Sequence, residues 1–596
     1  MIMFDSQSEF FRCPQGAIKE DEKIALNIYI KRCFPCSPSV IIEKRNDYDK
    51  NLIRKVPLEW KSTFKNYDLY GVEFIIEQCG HYFYSFDFGR ETKSPKNLYQ
   101  LLIYKKDYIT PKWIKGGIIY HIFVDRFFRD KIRSKDDDIL IRHNWGGTPN
   151  FLSDKNGKIK NDDFFGGNLD GIISKIPYLH SLGITAIYLS PIFEAHSNHK
   201  YDVGNFFKID PMFGGDDSLK NLCCEAKKYG MHVILDLVLS HTGDDSVYFN
   251  KYGSYDSVGA YQSKSSPYFS WYKFNSWNDD YSCWWNIKIL PTLNKENKNY
   301  RSFIMGNDGV LKHYLKEGVK GYRLDVADEL PNDFLDELRI SVKSYDEEAL
   351  IIGEVWEDAA DKYAYGKLKE YFLGKQLDSV TNYPIRTAII NYVKNKDCSL
   401  LSDTMNLISE KYPKEALNCI MNILSTHDTA RILTVLGSDE SPKNKNEMSA
   451  SKLSSDELEK GIKMLKIAAL IQMTLPGIPC IYYGDEAGTE GWTDPFNRTC
   501  FPWGHENQEI LKLYFFLTKL RKSSRLFIDG KYRCLIHDKG VYIYERYDHE
   551  KKIIIAVNLS LDEIFLNFND NFTDYETGKS AGKFSVEPNK FIILQN

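Results

Sequence analysis

No stretch of this chain is apolar for long enough to cross a bilayer; even IKMLKIAALIQMTLPGIPCIYYG is broken by Lys466, Gln472 and two prolines. The N-terminal segment MIMFDSQSEFFRCPQGAIKEDEK has no basic flank, apolar core or small-residue cleavage site, so no export signal is expected in it. Strong net charge is lacking too. At -4, with a pI near 6.4, the chain offers no broad cationic surface for phosphate backbones or anionic lipids. Nucleic acid and membrane are therefore not expected as partners, and a neutral substrate suits the balance. Twelve cysteines are scattered without a dense framework, and the pair Cys33 and Cys36 lacks the second Cys or His pair that a zinc site needs. Reduced thiols and a cytoplasmic location are the expectation.

What is present is a great deal of core-forming material: 596 residues, of which 43% are hydrophobic and 27% charged. That is the profile of a folded protein too long for one ordinary core. Residues 1–110 read as strands, with Ile24, Leu26, Ile28 and Ile30 alternating, as do Tyr70, Val72, Phe74 and Ile76. A β-sandwich is expected there. Near Pro111-Lys112-Trp113 the pattern changes, and short apolar runs begin to alternate with helical stretches such as Ile172, Ile176, Leu179 and Gly183.

Eight strand candidates follow in order: GIIYHIFV, TAIYLS, HVILDLV, GYRLDV, LIIGEV, LDSVTN, MNILSTH and IPCIYY. Eight βα units are the count of a (β/α)8 TIM barrel, an α/β fold, here spanning residues 111–525. The longest insertion, about 243–300, follows the third strand and is rich in Trp, Tyr, Asn and Ser, which predicts a lobe over the barrel mouth. The polar stretch GSDESPKNKNEMSASKLSSDELEK after the seventh strand reads as a mobile loop. Residues 526–596 return to strands and predict a C-terminal β-sandwich.

Reactive groups of such a barrel gather where strands end, because the eight C-terminal ends converge on one face. Asp236 lies at the end of the third strand with His241 just beyond it, Arg323 and Asp325 lie on the fourth, Glu354 ends the fifth, and His427-Asp428 stand at the end of the seventh. Arg323 and Asp325 are two apart and share a side of their strand, so the guanidinium is expected to hold Asp325 ionised, as a nucleophile requires. Glu354 has no basic neighbour in GEVWE and has Trp356 two positions on, a setting that keeps a carboxyl protonated in a dry pocket. One carboxylate attacking while the other donates a proton, about 5 Å away, is the retaining glycosidase arrangement. Taken singly, each of these acids is more often a helix cap or a structural ion pair. Their order and position together carry the reading.

DLVLSHTG (236–243), GYRLDVADE (321–329), GEVW (353–356) and LSTHDTARI (424–432) resemble the four ordered signatures of the α-amylase family of glycoside hydrolases. IYHIFVDRF, FFGGNLDGI, HKYDVGNFFKIDPMFG, YYGDEAG and DPFNR are similar to that family as well. LPTLN (290–294), VTNYP (380–384) and the N-terminal strands resemble its neopullulanase, cyclomaltodextrinase and maltogenic amylase branch. The resemblance implies Asp325 as nucleophile, Glu354 as acid/base and Asp428 as a third carboxylate that binds sugar hydroxyls. It implies Tyr201, His241, Arg323, His427, Trp356 and Trp285 as substrate-binding residues, with Asp202, Asp236 and Arg431 as structural support. For the lobe residues Trp271, Trp284 and Trp285, sugar stacking and packing of the lobe's own core stay open alternatives. The substrate would be an α-glucan oligosaccharide or polysaccharide, and no cofactor is required. The N-terminal unit would bind glucan or pair two subunits as a homodimer.

Two departures bear on metal. Ser240 stands where the first signature usually has Asn, which in many relatives supports a calcium ion, and Arg129, Lys131, Arg133 and Lys135 intrude where the branch often has a calcium loop. Structural calcium is thus not supported by the motifs, and the metal stays unassigned. Three rival readings remain. Transglycosylation on the same glucans differs only in the acceptor. A non-catalytic glucan-binding relative should have lost a carboxylate, yet Asp325, Glu354 and Asp428 are all present. A metal-dependent barrel hydrolase would want a His-x-His after the first strand, where only His121 stands.

Overall fold

The computed structural model describes residues 2–596 except 33–35, 90–97, 134–139, 154–158 and 160, so Cys33 and Lys135 lie outside the described residues. Eight parallel strands close into a barrel in chain order. They are β1 (Ile119–Ile122), β2 (Ala186–Leu189), β3 (His232–Leu237), β4 (Gly321–Leu324), β5 (Leu350–Gly353), β6 (Ser379–Asn382), β7 (Met421–Ile423) and β8 (Ile478–Tyr482). Each coincides with one of the eight apolar runs read from the sequence.

Period-2 alternation decides what the barrel encloses. Ile119, Ala186, Ile234, Ile352, Met421, Ile478 and Cys480 form one buried cluster, while their strand neighbours Tyr120, Ile187, Val233, Leu235, Tyr322, Leu324 and Ile351 belong to the larger core shared with the surrounding helices. Extending the inward set two residues at a time brings His121, Tyr188, Asp236, Arg323 and Glu354 to the same interior, above the apolar layer. The strand register sets Asp236 directly beside Arg323.

Two sheets of five strands each, drawn from Ile2 to Tyr104, form the N-terminal sandwich around Ile24, Leu26, Ile28, Ile30, Val40, Ile42, Tyr84 and Ile103. The C-terminal sandwich is built from one continuous antiparallel sheet of six strands between Lys531 and Gln595. The strand Ile564–Asp574 joins Lys590–Gln595 only through Thr573 and Asp574, and the sheet curls so that Leu566, Phe572, Phe584 and Val586 pack on Ile543, Ile554, Ala556 and Leu594.

The insertion after β3 is a lobe of turns and short strands, tied to the barrel by the bridge His241↔Thr292. The polar segment after β7, expected as a mobile loop, is ordered instead. It holds a short helix, Lys445–Ala450, and the start of the helix Ser455–Thr474, whose Ser454 and Glu457 complete a capping box. Trp492 Nε1 donates to Ser451 Oγ at 3.1 Å and fixes the segment to the loop after β8. No helix among the described residues is long and apolar enough to cross a membrane.

Candidate active site

Arg323 is the hub. Its Nη1 lies 2.8 and 3.0 Å from the two oxygens of Asp236 and 2.9 Å from Asp325 Oδ1, and its Nη2 lies 3.0 Å from Glu354 Oε2. The expectation that the guanidinium serves Asp325 while Glu354 has no basic neighbour is therefore corrected. A linear sequence shows only the pair along β4, whereas the barrel closes β5 and β3 against it. Glu354 gathers two more donors: Val326 N–H at 2.8 Å and Trp356 Nε1 at 3.1 Å. Val326 reaches it from a left-handed backbone (φ 41°), an unusual conformation for a β-branched residue. Trp356 is itself held by stacking on Tyr383, with ring centroids 3.8 Å apart.

Asp236 also accepts from Tyr188 Oη at 2.5 Å and Tyr201 Oη at 3.0 Å, so it anchors the cluster rather than facing the cleft alone. The Tyr201 hydroxyl lies 2.5 Å from His427 Nε2, and the two rings stack at 5.2 Å. That same Nε2 is 3.1 Å from Asp428 Oδ2, and Arg498 Nη2 is 3.7 Å from Asp428 Oδ1. One chain of polar contacts thus runs from Asp325 and Glu354 through Arg323, Asp236, Tyr201 and His427 to Asp428.

Burial in this interior pushes Asp325 well above the ordinary aspartate range; the pull of Arg323 is opposed by Glu354, Asp236 and Asp428. Burial likewise raises Asp236 and Asp428, against Arg323 for the first and Arg498 for the second. The predicted depression of Asp325 is corrected: burial outweighs the pull of Arg323, which is also shared with Asp236 and Glu354. Burial drives His427 far below the usual histidine range and His241 down to about 3, so both imidazoles are neutral. His427 Nδ1 and His241 Nε2 are buried and find no partner among the described residues, which leaves two polar ring atoms unsatisfied at this site.

Among the remaining expected residues, Asp202 accepts from Ser197 N–H at 3.1 Å and braces the turn that carries Tyr201. Arg431 lies deeper; it donates to Asn497 O at 2.9 Å and Asp485 Oδ1 at 3.1 Å, tying the β7 loop to the β8 loop. The three lobe tryptophans separate. Trp271 is buried against Tyr248, Tyr300 and Phe303 as lobe core. Trp285 is 71% exposed and stacks on Trp284, which lies against His241.

Four neighbours of the cluster escaped the sequence reading as site residues: His121, Tyr188, Tyr383 and Arg498. His121 stacks on Tyr188 at 4.2 Å, and Arg498 Nε donates to His427 O at 3.0 Å. Tyr188 hides inside an apolar strand run. Arg498 had a usable signal, the DPFNR segment, but nothing local to link it to Asp428.

At Ser240, and at Asp125 just before the second motif departure, the oxygen atoms already carry partners within the chain. Ser240 turns its hydroxyl to His241 Nδ1 at 2.9 Å, and its carbonyl lies 3.4 Å from the Lys295 ammonium. The Asp125 carboxylate accepts from Arg126 Nε at 2.6 Å and from the amides of Phe165 and Gly166. Among the described residues no group of three or more His, Cys, Asp or Glu could hold a metal ion.

A closed parallel barrel with buried acids around one arginine at its C-terminal mouth is an enzyme architecture. The chain belongs to the alpha-amylase family: residues 121–512 match the family described as alpha amylase, catalytic domain. It is 32% identical to an amylopullulanase of Thermoanaerobacter thermohydrosulfuricus, over 99% of this chain and 44% of that protein. A cyclomaltodextrinase of Thermoanaerobacter pseudethanolicus is 31% identical, over 88% of this chain and 86% of the relative. The solved structure of the type III pullulan hydrolase from Thermococcus kodakarensis superposes with a TM-score of 0.69 at 25% identity, covering 100% of both chains. The chain spans less than half the length of the amylopullulanases that it matches.

Proposed function

We propose that this protein is a retaining glycoside hydrolase that cleaves α-1,4 glucosidic bonds, with α-1,6 cleavage as a variable, in maltooligosaccharides, cyclodextrins, pullulan or starch fragments. One observation carries the reading: Asp325 and Glu354 bind opposite ends of a single buried guanidinium, at 2.9 and 3.0 Å. Such a fork favours the separation of about 5 Å at which one carboxylate attacks and the other protonates.

Asp325 attacks the anomeric carbon while Glu354 gives its proton to the departing glycosidic oxygen. A covalent glycosyl-enzyme forms, and the leaving chain departs with that proton. Glu354, now ionised, takes a proton from water, whose oxygen displaces Asp325 and restores both carboxyls. Asp428 and the neutral imidazoles of His241 and His427 hydrogen-bond the hydroxyls of the attacked sugar; their unpartnered ring atoms are suited to it. Tyr201 and Trp356 supply ring faces. No cofactor enters a step. The N-terminal unit exposes Leu52 and Ile53 on the edge strand of one sheet and Trp60 and Phe64 on that of the other; pairing of two subunits through them is tested by sizing a Trp60→Ser/Phe64→Ser variant against the parent.

The decisive experiment incubates the protein separately with maltotriose, β-cyclodextrin, pullulan and starch and resolves the products. Panose from pullulan marks α-1,4 attack, maltotriose marks α-1,6 attack, and products longer than the substrate mark transfer to a sugar acceptor. Asp325→Asn abolishes turnover; full activity in that variant sinks the reading. Glu354→Gln loses most activity on natural glucans but keeps more on a substrate with an excellent leaving group.

A further inference from the structure

The loop between β5 and β6 carries only a minimal hairpin of its own, Tyr363–Ala364 paired with Lys367–Leu368. It is held from two sides. On the barrel side, Lys362 Nζ lies 3.0 Å from Asp328, Tyr371 Oη donates to Asp328 at 2.6 Å, and Lys369 Nζ donates to Leu330 O at 3.0 Å. On the other side stands the N-terminal sandwich of the same chain. Gln100 Nε2 donates to Ala360 O at 2.9 Å, Arg45 pairs with Asp361, and His81 Nε2 meets Lys369 O at 3.1 Å. Asp47 binds Lys367 Nζ at 2.6 Å and the Leu368 amide at 3.0 Å, and Tyr48 Oη donates to Gly366 O at 3.0 Å.

What this clamp presents is Tyr365. The residue is 68% exposed, has a left-handed backbone (φ 51°), and donates its hydroxyl to Glu329 Oε1 at 3.0 Å, with Trp285 against the same hydroxyl. Trp285 is also exposed and left-handed (φ 46°). Two exposed aromatic residues held in a sparsely populated backbone conformation persist only where surrounding contacts impose it. From Trp285 the aromatic surface continues inward through Trp284, 5.0 Å away, to His241, a further 5.3 Å.

Resting on the α-glucan reading above, we propose that the N-terminal sandwich sets the substrate-length preference of its own chain's site. By clamping the β5–β6 loop it holds Tyr365 beside Trp285, and the two rings form a stacking rim for sugar units beyond those that flank the cleaved bond. Asp47 bonds Lys367 and the Leu368 amide, so it is a positioning residue acting through that hairpin.

The test compares maltotriose with maltoheptaose in the full chain. Asp47→Ala should raise KM for maltoheptaose about five- to tenfold at nearly unchanged kcat, with maltotriose constants within about twofold of the parent, and Asp47→Glu should restore most of the difference. Tyr365→Ala should raise the maltoheptaose KM likewise. Equal losses on both substrates with a lowered Tm would show a merely structural role and overturn the proposal, as would an unchanged maltoheptaose KM in both variants. Binding of maltoheptaose to Asp325→Asn, followed by tryptophan fluorescence with and without Asp47→Ala, decides the rim even if no glucan is cleaved. Weaker binding upholds it, and unaltered binding refutes it.

Discussion

Arg323 Nη2 lies 3.0 Å from Glu354 Oε2 while its Nη1 lies 2.9 Å from Asp325 Oδ1, so the two acids proposed to react share one rigid cation. A lysine ammonium is a point charge and cannot bridge Asp236, Asp325 and Glu354 with fixed geometry. Arg323→Lys should therefore lower kcat by about 100-fold or more while the protein stays folded. Near-normal kcat in a folded Lys variant would show that charge alone suffices at this position.

The buried Asp325 gives a prediction about stability. Its folded pKa is raised by burial, so it binds a proton more readily folded than unfolded. Its stabilising contribution is present below the unfolded aspartate pKa and is lost as pH rises through the folded value. At neutral pH the ionised group is then a net cost, and Asp325→Asn should raise Tm by about 2 °C or more, with the gain shrinking toward pH 4. Thermal melts of both proteins across pH 4–8 check it; a lower Tm for the variant at pH 7 contradicts the direction of the shift.

The same direction fixes the acid side of the rate profile. An attacking Asp325 must be ionised, so kcat/KM should fall with decreasing pH at a midpoint above the ordinary aspartate range. Asp236 is among the charges that raise Asp325, and it also takes part of Arg323. Asp236→Asn removes the first effect and weakens the second, so the acid midpoint should move to lower pH even though the rate drops. A midpoint that stays fixed would mean that another group controls that limb.

Chelation is expected to do nothing. Lys295 lies beside the Ser240 carbonyl, Asp125 is satisfied by Arg126 and two amides, and the described residues hold no cluster of acids suited to a metal ion. Activity and Tm should be unchanged after exhaustive treatment with EDTA. A loss restored by calcium would contradict this.

The barrel was legible because each strand is a short apolar run at a βα boundary, and the parity of Arg323 and Asp325 already set both side chains on one face. Partners across strands were not legible. Glu354 looks isolated in GEVWE because Arg323 reaches it only once β4 and β5 pair, and Tyr188 looks like core until its hydroxyl is found on Asp236. Trp271 and Trp285 could not be told apart, since an irregular lobe has no periodicity to show which ring turns inward. The polarity of the segment after β7 predicts a mobile loop, although its Ser454 and Glu457 are spaced as a helix start.

Val326 donates its amide to Glu354 from a left-handed turn directly after Asp325. The backbone that leaves one reacting carboxyl is therefore the ruler that places the other. A bulky or poorly seated ligand cannot wedge these two acids apart without first rupturing a buried bond between neighbouring strands. The enzyme so built would keep a narrow tolerance for the gap across which a bond is cut.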